Sequence, residues 1–429
     1  IGGALTTIAG NSGFLSYSGG TLAGNGLSTF NAIAVSATAP TTGQVLTATG
    51  VAAAAWQTTS GGGGYGTLVV AAPSGTAATD TTNIQSAIDA VSAAGGGTVV
   101  LKEGIYQIST TINPKSGVTI RGQGKSTVQN TGLSGTSGGG SPSGTTLRGT
   151  TGLASTRMIS DTGTAPINVT FRDLNLDFGK VTRGSITGQD MVMKGSNLTF
   201  INVTFIMTAS VGNPSVDITP SNTFDTGKHK FIGCDFYDAG TAATICFQLG
   251  GLISGCYFEG TVATFNEMVA FVGAANVTNC YFASNKNYNN GMVYVQPANN
   301  SNQAQTVTIS NCFFKQYTTA QTRAIFVDNI TNGNVVISGN VGDSSSAAVG
   351  NIHCPASSGL RNIIGNVGFS AYSGGNQNGN DGQTALNSGA AAGGDLSGTL
   401  PSPTVAKVNG VSVPAAPSAG QVLTATGPT

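Results

Sequence analysis

The sequence predicts an all-β fold: a right-handed parallel β-helix solenoid with an N-terminal capping helix, flanked by Gly/Ala/Thr-rich connector modules. Three observations carry this prediction. Charged residues make up 8% of the 429-residue chain while 39% are apolar. Such a chain buries a core, but it solvates its surface with Ser, Thr, Asn and Gly rather than with ions. A strand–turn unit recurs at intervals of 22 to 32 residues through the middle of the sequence. The two ends also share a module: PTTGQVLTATG at residues 40–50 returns as PSAGQVLTATG at residues 417–427.

Texture divides the chain into residues 1–64, an N-terminal connector; 65–375, the β-helix; and 376–429, a C-terminal connector repeat. The first connector copy runs on to Trp56, and the second stops at Thr429 soon after its match ends. With Ile1 at the start, this leads us to expect that the sequence is part of a longer polypeptide.

The middle region opens with a helix signal. Thr82-Asn83-Ile84-Gln85 reads as a capping box, and Ile84, Ala87, Ile88 and Val91 follow at helical spacing on one face. Gly95, Gly96 and Gly97 close it. TVVLKEGIYQIS then reads as strand, tight turn at Glu103-Gly104, and strand. A helix at this point covers the open apolar end that a first solenoid coil would otherwise expose.

The repeat aligns Asp173, Asn202, Gly233, Gly255, Asn279, Asn311, Gly339 and Gly365 in one marker column. The next position reads Leu174, Val203, Cys234, Cys256, Cys280, Cys312, Asn340 and Asn366. Two further on stand Leu176, Phe205, Phe236, Phe258, Phe282, Phe314, Gly342 and Gly368. Alternate residues of a strand share a face, so both columns point inward and stack coil over coil. Burial of the phenylalanine stack contributes roughly 8–15 kcal/mol as an upper figure. Strands that return in one direction pair in parallel with right-handed connections, giving roughly nine or ten coils with an early one near Val118. The Gly and Asn at the last coils point to a thinning apolar stack.

Lys+Arg and Asp+Glu balance at 17 each, so no basic field draws nucleic acid or an anionic membrane. No run of 18 or more large apolar residues exists, and no membrane insertion is expected. Six cysteines (Cys234, Cys246, Cys256, Cys280, Cys312, Cys354) lack a CxxC spacing, and four of them fall in the inward column as small buried hydrophobes. His229 and His353 lack zinc-finger spacing. Neither a metal nor a cofactor is expected.

The stretch ATDTTNIQSAIDAVSAAGGGTVVLKEGIYQIS, followed by SGVTIRGQG, resembles the opening of pectate-lyase-like β-helix domains of phage tailspikes and polysaccharide-cleaving enzymes. GGDLSGTLPSPTVAKVNGVSVPAAPSAGQVLTATG resembles repeat modules of phage tail-fibre proteins. The resemblance implies a homotrimeric tail fibre or tailspike, carried on the virion with other tail proteins, whose β-helix meets a host cell-surface polysaccharide. Two alternatives stand beside it: a polysaccharide depolymerase, glycosidase or lyase, on the same β-helix, and a secreted bacterial adhesin.

For depolymerase chemistry the candidate residues are outward acids. The column after the phenylalanines reads Asp177, Ile206, Tyr237, Glu259, Ala283, Lys315, Asp343 and Phe369, with Asp238 one place beyond Tyr237. Asp238 and Glu259 lie on neighbouring coils about 4.8 Å apart, within reach of a glycosidase carboxyl pair. The simpler reading, two acids on solvated turns, is favoured. Tyr237, Tyr257 and Tyr281 offer an outward aromatic ridge, suited either to a glycan or to burial between subunits of a trimer. Other matches dissolve. Gly124-Lys125-Ser126 has Thr119 where a phosphate loop needs its first glycine. The Asn-x-Thr triplets at Asn168, Asn197, Asn202 and Asn276 read as strand starts, and His229 as a lone surface histidine.

Overall fold

The computed structural model describes side chains over residues 66–125, 144–153, 156–161, 166–178, 189–206, 216–218, 229–237, 250–260, 267–271, 275–284, 287–295, 306–317, 320–328, 334–354, 361–374 and 380, and backbone alone in several flanking strands. Among these residues the fold is a parallel β-solenoid with a single α-helix, Ala77–Ala93, near its N-terminal end. Three ladders form its faces. Sheet A contains Val118–Arg121, Lys230–Ile232, Gln305–Ser310, Gly333–Ser338 and Arg361–Ile364. Sheet B contains Thr145–Gly149, Asp235–Tyr237, Tyr257–Gly260, Tyr281–Ser284, Phe313–Gln316 and Val341–Asp343. Sheet C contains Met191–Met193, Val216–Ile218, Gly291–Gln296, Arg323–Val327 and Asn351–His353. Thr170–Asp177 and Thr199–Ile206 run through the corner from A to B, while Ile245–Ser254 and Glu267–Thr278 run from C to A.

The marker column is the A-to-B corner. Asp173, Asn202, Gly233, Gly255, Asn279, Asn311, Gly339 and Gly365 all adopt left-handed backbone, with φ between 54° and 63°. Gly, Asn and Asp visit that region at least cost, which is why these residue types recur there. The eight markers bound seven coils, and paired strands extend the same ladder beyond them at both ends. Earlier strands, Gly97–Val100 and Val118–Arg121, join the same ladder, and the positive-φ residues of their corners are Gly104 and Gly124, at 124° and 128°, in place of a marker near 60°. Gly122 stands in the marker column there, and a Cβ on it would strike the Asp173 carbonyl.

The residue after each marker turns inward as expected, and the structure adds a reason for its identity. The Sγ atoms of Cys234, Cys256, Cys280 and Cys312 lie 3.4 to 3.9 Å from the carbonyls of Phe200, Phe231, Ile253 and Val277, and 3.3 to 3.7 Å from those of Ile232, Ser254, Thr278 and Ser310, so each thiol has two acceptors in reach. The former carbonyls form one register column. Asn340, Asn366 and Asn380 then donate Nδ2 to Ile309, Ile337 and Ile363 in the same column, each at 3.0 Å. The asparagines also chain to one another: Asn340 Nδ2 reaches Asn366 Oδ1 at 2.9 Å, and Asn366 Nδ2 reaches Asn380 Oδ1 at 3.0 Å. The C-terminal coils therefore exchange apolar filling for a satisfied amide ladder. All the cysteines with described side chains are free, and burial pushes the Cys256 thiol well above its ordinary value.

Inside sheet B the phenylalanine stack is continuous. Phe205, Phe236, Phe258, Phe282 and Phe314 follow one another at 4.5 to 4.8 Å with ring planes within 14°. At the next coil Gly342 leaves no side chain, and Phe369 meets Phe314 edge-on at 5.6 Å. Phe369 was expected to point outward; it is buried because the glycines at 342 and 368 leave room inside. Ala283, expected in the same outward column, is also buried. A second inner stack, Phe171, Phe200 and Phe231, lines sheet A at 5.4 and 5.0 Å.

The helix begins at Ala77, earlier than the Thr82 box. Tertiary bonds fix that first turn. Asp80, buried, accepts from the Ser74 N–H at 2.7 Å and from the Gln107 N–H at 3.0 Å. Thr81 accepts from the Ser109 N–H, and Gln85 from the Asn113 N–H rather than from Thr82. Three helix side chains thus satisfy donors along the exposed edge of the first coil, which blunts that edge against further strand addition. Ile84, Ile88 and Val91 meanwhile close the core from above. The Glu103-Gly104 turn is a solenoid corner, since the strands on either side pair in parallel with later coils.

In the N-terminal connector Gln44–Gly50 pairs antiparallel with Ala53–Thr58, with Leu46 opposite Trp56. The second copy, at residues 417–427, lies outside the described residues.

Candidate functional site

Outward side chains of sheet B make the first candidate surface. Parallel register sets Asp235, Tyr257, Tyr281, Phe313 and Val341 one above another. Tyr257 and Tyr281 stack at 5.4 Å, and Tyr281 and Phe313 at 5.0 Å, with planes within 20°. Face-to-face stacking uses up those ring faces, so the ladder presents edges and hydroxyls. Tyr237 differs, lying 5.8 Å from Tyr257 at 48°. Tyr317, 40% exposed, stands at the rim with Lys315 Nζ 5.4 Å from its centroid.

Charged groups border this ladder. Tyr257 donates its hydroxyl to Glu259 Oε2 at 2.9 Å. Burial holds the Glu259 carboxyl above its usual range despite that bond. Burial, with Asp235 and Glu259 nearby, raises the Tyr237 phenol. Lys125 closes onto Asp235 at 2.8 Å and onto the Gly233 carbonyl at 2.8 Å. The Gly124-Lys125 motif is thereby engaged in a strut. Lys315 pairs with Asp343 at 2.6 Å, which holds that carboxyl well below the carboxylate range.

The proposed Asp238–Glu259 pair falls partly outside the described residues, because Asp238 lies there. Glu259 itself sits between Tyr237 and Ala283 in its column. Asp343 is three coils away, about 14 Å at the strand spacing, beyond either glycosidase separation. His229, expected at the surface, is fully buried and accepts from the Leu198 N–H through Nδ1 at 3.3 Å. Its inward turn follows from pairing beneath Leu198, where the sheet A strand begins. Asn168, Asn197 and Asn202 hold left-handed corners, and Asn276 lies exposed within a strand.

A second surface escaped sequence reasoning. On sheet C, Tyr294, Phe326 and His353 are in register, with ring centroids 5.5 Å apart at each step. The Arg323 guanidinium lies 4.6 Å over Phe326. Tyr294 donates to Asp328 at 2.6 Å, and His353 Nδ1 meets Ser373 Oγ at 2.6 Å. Burial, then Arg323, lowers the His353 pKa and favours neutral imidazole. Glu267, 3% exposed, takes Asn290 Nδ2 at 3.0 Å on one oxygen, while its other oxygen is buried without a hydrogen-bond partner. Burial pushes its pKa up to about 7. Further up the column Lys194 pairs with Asp217 at 2.7 Å. Loops of unequal length separate sheets B and C, so counting from the marker does not register this strip.

Among the described residues no group of three or more His, Cys, Asp or Glu side chains is placed to hold a metal, and no helix is long and apolar enough to cross a membrane.

Comparison with known proteins places this geometry. Residues 72–266 match the family model for rhamnogalacturonase A/epimerase, pectate lyase-like. No curated protein matches the sequence. Among solved structures, the tailspike gp49 of Acinetobacter baumannii bacteriophage Fri1, a capsular polysaccharide depolymerase, is similar at 12% identity and TM-score 0.40, over 78% of this chain and 65% of the tailspike. The A-module of a mannuronan C-5 epimerase from Azotobacter vinelandii is similar at 16% identity and TM-score 0.36, over 70% of this chain and 94% of the module. PfbA, a surface adhesin of Streptococcus pneumoniae, follows at 11% identity and TM-score 0.34, over 77% and 95%. Residues 72–266 thus match a pectate-lyase-like family model on a parallel β-solenoid.

Proposed function

We propose that this chain is an attachment protein of the tailspike kind: a homotrimer, extracellular on a virion tail, that holds a host polysaccharide on the outer faces of its β-helix. The observation that carries the reading is the sheet B surface. A self-stacked ladder of Tyr257, Tyr281 and Phe313 stiffens it, while Tyr237, Tyr317 and Glu259 stand at its rim. Polysaccharides are bound by such mixtures of ring faces and hydrogen-bonding groups on a rigid support. The repeated connectors and the low charge suit a rod that avoids adsorption to other charged surfaces. Native mass and adsorption test the reading together. Three times 42.6 kDa is expected. Tyr237→Ala should weaken retention on host cells at least ten-fold without lowering the melting temperature. A stable monomer removes the trimer, and unchanged retention removes the sheet B site.

One observation favours depolymerase activity as a second reading. Glu259 is half-buried and held protonated toward higher pH, as a proton donor to a glycosidic oxygen needs to be. Release of reducing ends or of unsaturated sugars from host polysaccharide, abolished by Glu259→Gln, would establish it. Binding without any release would exclude it.

A further inference from the structure

The two outward strips share a charge pattern that bears on what they hold. The lysines described beside them are each closed onto an acid: Lys125 on Asp235, Lys315 on Asp343 and Lys194 on Asp217. Carboxylates, in contrast, stand against the rings. Glu259 takes the Tyr257 hydroxyl, Asp328 takes the Tyr294 hydroxyl, and Glu267 lies in the same strip with one oxygen unmatched. Arg323 is the one guanidinium described against these rings. Its face is laid on Phe326, and Nη1 donates to the Asn289 carbonyl at 3.4 Å.

From this, and resting on the glycan-binding reading above, we infer that the polysaccharide is uncharged or bears amino groups, and is not a polyuronate. Sugar hydroxyls, amide N–H groups and ammonium groups are donors, and the strips offer acceptors. A uronate chain brings a carboxylate with every sugar. Each would approach Glu259 on sheet B or Asp328 on sheet C, in half-buried surroundings where salt screens poorly. Freeing a lysine to meet it would break an ion pair and leave its acid unpaired. One guanidinium already laid on a ring does not balance an anion that repeats along the chain.

The test titrates the full chain with bacterial surface polysaccharides grouped as uncharged, amino-sugar or uronate-bearing, with alginate and polygalacturonate as pure polyuronates. Uncharged or amino-sugar polymers should bind at least ten-fold more tightly than any uronate. Tyr294→Ala and Tyr237→Ala should each weaken that binding. Glu259→Gln with Asp328→Asn should raise affinity for alginate several-fold, a gain that misfolding does not produce, and no gain would overturn the charge inference. Tightest binding to a uronate class by the unaltered chain overturns the charge inference and leaves the glycan reading standing. No binding to any class overturns both.

Discussion

The inner and outer columns of sheet B lie on the same strands and differ in kind. Inward, the side chains repeat from Phe205 to Phe314 with hardly a change of ring angle. Outward, the neighbouring column passes from Ile206 to Tyr237, Glu259, Ala283, Lys315 and Asp343. Inside a solenoid each coil meets a copy of its own environment, so one solution serves every level. Outside, each coil meets something different, and residue identity there is free to serve binding. Repetition marks the fold, and its loss marks the candidate site.

Deleting one ring is the hardest blow to the inner column. Phe258→Ala should cost about 3–5 kcal/mol, since the stack is fully buried and its neighbours are held by their own strands. An unchanged denaturant midpoint would mean that the ring is not buried. Next comes the amide ladder that follows the cysteines in their column. Asn366→Ala strips partners from the Ile337 carbonyl and from Asn340 and Asn380 together, and should cost about 2–3 kcal/mol by chemical denaturation. If it costs no more than a surface substitution, the two halves of the column are not equivalent supports. Cys256→Ala should cost about 1 kcal/mol, losing a weak donor and little volume, and reductant should leave the unaltered chain's stability unchanged.

Outer-face chemistry gives the smallest stability effect and the clearest pH signature. Glu267 binds its proton more tightly when folded, with a pKa near 7 against an ordinary 4.5. The folded state therefore holds more protons between those values, and this group's contribution is present below about 4.5 and lost as pH rises through about 7. Glu267→Gln should flatten that decline in melting temperature. An equally steep decline in the variant would assign it elsewhere.

How far the sequence discloses this molecule follows the same division. The marker column was legible because only Gly, Asn and Asp take its left-handed φ cheaply, and that restriction recurs at every corner. The inward columns followed from strand alternation. The start of the helix did not, because Asp80 and Thr81 act there through bonds to Gln107 and Ser109, far along the chain. Ala283 and Phe369 broke the outward pattern because burial at one coil depends on what neighbouring coils leave empty, as Gly342 does for Phe369. The Tyr294–Phe326–His353 strip stayed hidden because loops of unequal length precede each of its strands. Register across those loops comes from hydrogen bonding, which spacing does not reveal.

The most direct test of the account is retention of the full chain on immobilised host polysaccharide, comparing it with the Tyr237→Ala, Tyr294→Ala double variant at matched melting temperature. The account predicts that the unaltered chain is retained and that the double variant elutes unbound. Equal retention of both, or of neither, would contradict the claim that the irregular outer faces of this solenoid are its binding surface.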